Sequence, residues 1–142
     1  MDIADHVQRQ GKHSAKWQAR FDFFDTYGAP NDPRFKPALK ALPGLGKKVL
    51  ISLNVIAYFF GPIYLFVLGL WKKNLALLGI ALAVYSLLIV LFAVIGMEFP
   101  KPLDMGLGIG FSLMYALTTN YSYYLKEVKG EQGWNPFKGM RW

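Results

Sequence analysis

Three long stretches of this chain carry no Asp, Glu, Lys, Arg or His: residues 49–71, 74–97 and 105–125, of 23, 24 and 21 residues. An α-helix rises about 1.5 Å per residue, so roughly 20 apolar residues cross about 30 Å of hydrocarbon. Each run is long enough. Helices of a soluble bundle would instead show polar residues at every turn, and between 75 and 97 only Tyr85 and Ser86 interrupt the apolar pattern. The expectation is an all-α integral membrane protein with three apolar helical segments.

The first run contains "FFGPIYLFVLGLWKK", with Gly61-Pro62 near its start and Lys72-Lys73 beyond its end. Proline lacks an amide donor and its ring clashes with the preceding turn, so a helix breaks or kinks there. Orientation follows from where the sixteen Lys and Arg fall, because short cytoplasmic loops are enriched in them. Three full crossings give only a weak bias. If the first run turns back at Gly61-Pro62 as a re-entrant segment, every cation except Lys101 lies on one side. A third run weakened by Gly106, Gly108 and Gly110 and failing to cross gives nearly the same bias. Both versions put the two termini in the cytoplasm, in a multi-pass membrane protein. The polar 48 residues ahead of the first run argue against a secretory signal peptide.

Residues 1–48 read as a cytoplasmic amphipathic and linker region, 49–125 as the helical membrane domain and 126–142 as a polar flexible tail. Within the first, Trp17, Phe21 and Phe24 fall at i, i+4 and i+7, one face of a helix. Lys16 and Arg20 flank that face, a pairing that suits an interfacial helix among anionic lipid headgroups. The alternative is that these aromatics pack on the protein's own helices. Trp71, Lys72 and Lys73 read as further interface anchors. "GAPNDPRFKP", residues 28–37, is a breaker-rich linker.

Few residues offer chemistry. Asn54 lies within the first apolar run, where an amide needs a partner: either an interhelical polar contact or local bonding near the break. Gly79 with Ala83, and Gly106 with Gly110, form small-x-x-x-small pairs that let helices approach closely, within one chain or in a homo-oligomer. His6 and His13 lack further ligands in view, and zinc needs three or four. Glu98 and Asp104 flank "FPKPL" beside Lys101 and read as a solvated loop. Cysteine is absent, which removes thiolate chemistry. No phosphate-binding, serine-hydrolase or zinc-protease motif occurs. The expectation is a protein with no cofactor, no metal and no enzymatic activity. The formal charge of +7 is spread over the flanks of apolar runs, so anionic lipid, not nucleic acid, is the expected partner.

The segments "WQARFDFFDTYG", "NVIAYFFGPIYLFVLGLWKK" and the runs that follow resemble the family known as domain of unknown function 2628, over roughly residues 17–96. Members typically show Gly-Met-Trp where this chain has Gly69-Leu70-Trp71. The resemblance implies a bacterial integral membrane protein and brings no established activity.

Three functions compete. The first is a non-enzymatic membrane protein acting through lateral protein contacts, as an accessory subunit or an immunity-type protein against a membrane-acting toxin. The second is an oligomeric, holin-like pore former. The third is a small transporter built around a re-entrant element at residues 54–64.

Overall fold

A computed structural model describes residues 13–140, and among these all regular structure is helical. Helix α1 (Ala15–Tyr27) starts where the Ser14 hydroxyl accepts the Trp17 amide and stops at Gly28, whose φ of 83° suits only glycine. The linker holds a tight turn in which the Asp32 carboxylate accepts the Arg34 amide at 2.8 Å and its Nε at 3.1 Å. Helix α2 (Phe35–Ala41) ends one residue before Pro43 forces its predecessor out of helical geometry.

The first apolar run is not one helix. Helix α3 (Leu45–Ser52) gives way to an extended Leu53 (φ −127°, ψ 148°), and α4 (Val55–Val67) restarts with the Asn54 side chain accepting the Ala57 amide at 3.0 Å. Within α4 the backbone leaves helical geometry at Phe60 (φ −125°, ψ 25°). That kink sits just ahead of Gly61-Pro62, as a proline without an N–H to offer the carbonyl four residues back requires. The additional break at Leu53–Asn54 follows from the amide's ability to cap a new helix.

Gly69 (φ 77°) turns the chain into α5 (Trp71–Val94) and Gly96 (φ 74°) into α6 (Lys101–Lys129). Asp104 in the first turn of α6 and Lys126 and Lys129 in its last complement the helix dipole, and a left-handed Gly130 closes it. α5 and α6 run antiparallel: Tyr85 meets Phe111 at 5.6 Å and Phe92 meets Phe99 at 5.5 Å between ring centroids.

The expectation of three apolar segments is met in part. Two stretches, Leu45–Val67 and Trp71–Val94, are long and apolar enough to cross a membrane, and the first of these is divided at Leu53–Asn54. The run 105–125 is the middle of a 29-residue helix whose later turns bury Tyr115, Thr118, Thr119, Asn120 and Ser122. Those polar side chains lower its hydropathy because they face other helices. α6 also continues four residues into the stretch expected to be tail. Beyond it the chain folds back: the Asn31 amide bonds the Gly139 carbonyl at 3.0 Å, and Glu131 pairs with Lys138.

Two cores result. Phe21, Phe23 and Phe24 of α1, Phe35 of α2 and Ile51 of α3 pack on Tyr124 and Leu125 of α6. Ala57 and Leu65 of α4, Leu70, Leu77 and Tyr115 form the second. The packing of α4 on α6 is the most extensive in the molecule.

Candidate functional site

The densest polar cluster lies where the helix breaks meet α6. Each break leaves carbonyls without helical partners, and each is answered by a side chain distant in sequence. The Asn120 amide donates to the carbonyls of Ile51 (3.1 Å) and Leu50 (3.3 Å) at the end of α3, and Arg20 Nε adds a bond to Leu50 O at 2.8 Å. Asn120 Oδ1 accepts from Asn54 Nδ2 at 3.0 Å, and the Asn54 amide N–H reaches Ala116 O at 2.9 Å. At the other end of α4, Lys126 Nζ donates to Leu68 O (3.0 Å) and Gln132 Nε2 to Gly69 O (2.7 Å). Between them the Tyr115 hydroxyl donates to Asn74 Oδ1 at 2.8 Å, while Asn74 Nδ2 donates to Pro62 O at 2.8 Å.

Both ends of α4 are thus tied to the C-terminal half of α6. Gly61 lies in between against Tyr115, so close that a Cβ there would sit 2.6 Å from the ring's Cγ. Asn54, Asn74 and Asn120 are essentially buried, at 2 %, 0 % and 1 % exposure. Satisfied amides of this kind hold geometry; they supply neither a nucleophile nor a proton at neutral pH.

The structure places Asn54 and Gly61-Pro62 in this seam and the other sequence candidates elsewhere. Phe21 and Phe24 are buried against Tyr123 and Tyr124, and Trp17 packs on Tyr123 at 4.6 Å. Their stripe faces the protein's own aromatics, the alternative that stood beside the interface reading. Trp71 remains exposed beside Trp134, with Lys72 Nζ over its ring at 5.6 Å, whereas Lys73 is buried. Gly79, Gly106 and Gly110 have open space where a Cβ would go, and Ala83 is exposed. These small residues do not serve packing within the chain. Among the described residues no three His, Cys, Asp or Glu converge; His13 lies 3.6 Å from Glu127, and His6 falls outside the described residues.

Two clefts flank the seam. An apolar one of about 300 Å³ lies between α1, α2, α6 and the C-terminal segment, with Phe24, Phe35, Ile51 and Leu117 in its walls. The other, about 470 Å³, opens between α1, α3 and the start of α4 and is lined by Lys16, Arg20 and Lys47 together with Trp17, Leu53 and Ile56. Burial pushes the Arg20 guanidinium below its ordinary pKa, with some opposing influence from Tyr64.

Sequence reasoning missed Arg20 as a helix cap and Asn74 and Asn120 as members of one network. The available signal was an amide inside or at the edge of each apolar run; what it could not give was their pairing.

The model of the family described as "Protein of unknown function (DUF2628)" matches residues 7–129. The chain is 40 % identical over 137 residues to "Uncharacterized protein YigF" of Escherichia coli K12, covering 94 % of this chain and 99 % of that one. It is 40 % identical over 129 residues to the Salmonella typhimurium protein of the same name, covering 88 % and 93 %. No solved structure matches. The chain, with its broken first run held by α6, therefore belongs to the DUF2628 family of proteins of unknown function.

Proposed function

We propose that this is a small helical protein of the bacterial inner membrane whose α5–α6 hairpin sits in lipid and which acts through lateral contact with another membrane protein, as an accessory or immunity-type subunit. The observation that carries the reading is α5: of its most apolar 18-residue window only 6 % is buried. Leu82, Leu87, Val90, Leu91 and Val94 face outward on it. Exposed apolar surface on that scale in water invites aggregation; in hydrocarbon it costs nothing. At 29 residues α6 extends about 43 Å, more than the roughly 30 Å of a bilayer core. Its surplus is the C-terminal part that carries α1, α2 and α3.

In this arrangement α4 enters and leaves on one side. Lys72, Lys73, the amino-terminal helices and the C-terminal segment then share that side, and Lys101 lies opposite, so fifteen of sixteen cations are cytoplasmic. The open faces at Gly79–Ala83 and Gly106–Gly110 are where a partner helix could approach closely. Action through contact, not catalysis, accords with a buried seam of satisfied amides.

The test is photo-crosslinking from Gly79 and Gly110 in living cells, after alkaline extraction has established membrane residence. A discrete protein adduct of fixed mass supports lateral contact. Recovery in the alkaline supernatant removes the membrane reading; adducts to lipid alone remove the contact. An adduct at multiples of the chain's own mass, with loss of membrane potential, selects the pore former instead.

A further inference from the structure

We infer that the cleft between α1, α3 and the start of α4 binds the headgroup of one anionic phospholipid, its phosphate held by Lys16, Arg20 and Lys47 and an acyl chain leaving over Val55 and Ile56. The inference rests on the membrane reading above.

Three observations carry it. First, among the described residues the cleft gathers three cations and no Asp or Glu into its walls. Lys16 and Lys47 are exposed and sit on different helices, so an anion between them neutralises two charges that no carboxylate among the described residues meets. Second, Arg20 is pre-positioned. It is only 8 % exposed, its Nε is committed to Leu50 O at 2.8 Å, and its guanidinium lies 4.5 Å over the Trp17 ring. Among the described residues its terminal nitrogens make no hydrogen bond, and a fixed guanidinium edge of that kind matches a phosphate in two-point geometry. Third, the cleft is amphipathic along its length. Leu53, Val55 and Ile56 form its far wall, and Val55 and Ile56 lead onto the exposed apolar face of α4 at Phe59 and Ile63. A free phosphate would use only the cationic end. The volume, about 470 Å³, falls within the range of ordinary small-molecule sites and accommodates a headgroup and glycerol while the acyl tails run outside.

The experiment is native mass spectrometry of the full-length protein released from mild detergent, titrated with phosphatidylglycerol, phosphatidylcholine or inorganic phosphate. One phosphatidylglycerol is expected to stay bound, at least about tenfold tighter than phosphatidylcholine, since each basic group near an anionic lipid contributes a several-fold effect. Lys16→Gln/Lys47→Gln, which alters only exposed side chains, should lower that affinity about tenfold and leave the melting temperature in detergent unchanged. Arg20→Lys should weaken binding while retaining charge. Equal retention of the two lipids, undiminished binding by the double variant, or phosphate binding as tight as phosphatidylglycerol overturns the inference. Because the double variant leaves α5 and α6 untouched, it should remain in the membrane fraction; its loss from that fraction would count against the membrane reading and not against the cleft.

Discussion

Asn54 and Asn120, separated by 66 positions in the chain, share a 3.0 Å hydrogen bond in the interior, and through it the start of α4 is locked to the middle of α6. Asn120 simultaneously caps α3 through Leu50 and Ile51. Replacing Asn120 by Ala takes the side-chain donor from Ile51 O and the acceptor from Asn54 Nδ2, while Leu50 O keeps Arg20, which should cost about 1–3 kcal/mol. Thermal unfolding in mild detergent, read by circular dichroism, checks this. Asn54→Ala also removes an N-cap and should cost a similar amount, with the double variant well short of the sum.

Gly61→Ala places a methyl 2.6 Å from Tyr115 Cγ. The overpacking should cost about 1–3 kcal/mol. The double variant Gly61→Ala/Tyr115→Ala should lose less than the sum of the two single losses, a coupling that an additive pair of substitutions would not show. By contrast Gly79→Ala and Gly110→Ala meet open space and gain helix propensity of up to about 1 kcal/mol each. Melting temperatures of the variants should therefore move in opposite directions.

The chain has no cysteine, so single thiols report topology without background. Glu98→Cys, in the loop between α5 and α6, should react in intact spheroplasts with a membrane-impermeant maleimide. Lys47→Cys and Lys138→Cys should react only after lysis. Labelling of Lys138→Cys from outside would place the tail across the membrane from the expected side.

The tail's attachment should respond to acid. Glu131 is held below its ordinary pKa, first by its hydrogen bond to Lys138 and then by that charge, and Lys138 is raised correspondingly. A depressed carboxylate contributes stability above its unfolded value, near 4.5, and loses it as pH falls through the lowered value. The raised lysine contributes below about 10.5 and loses it above. Between those limits the pair is intact. Trp134, packed on Trp71, should report the release as an emission shift once the pH falls below 4.5 and through the lowered value, with no change around neutral pH. The pair is fully exposed, so added salt should weaken the same contact.

Periodicity and length made the helices legible, because apolar runs and the Trp17, Phe21, Phe24 spacing are local patterns. The kink near Gly61-Pro62 was equally readable, since proline acts on its own backbone. The partner of each pattern was not. Whether Phe21 meets lipid or Tyr124 depends on what α6 presents 100 positions later, and nothing within α1 encodes the difference. The same holds for Asn54: its need for a partner is evident from its apolar surroundings, and its identity as the bond donor to Asn120 is not. The third run was half legible: it is helical as expected, but Tyr115, Thr118, Thr119 and Asn120, which look like a faded membrane segment, are the α6 face that meets the breaks in α3 and α4.

Asn120, Lys126 and Gln132, which donate to the carbonyls at the ends of α3 and α4, leave the ribosome after the carbonyls they serve. A nascent chain halted before residue 115 has those carbonyls open, and hydrocarbon tolerates open carbonyls poorly. On the membrane reading proposed above, the early helices wait near water until translation delivers α6, so that the last long helix made is the one that permits the first to settle.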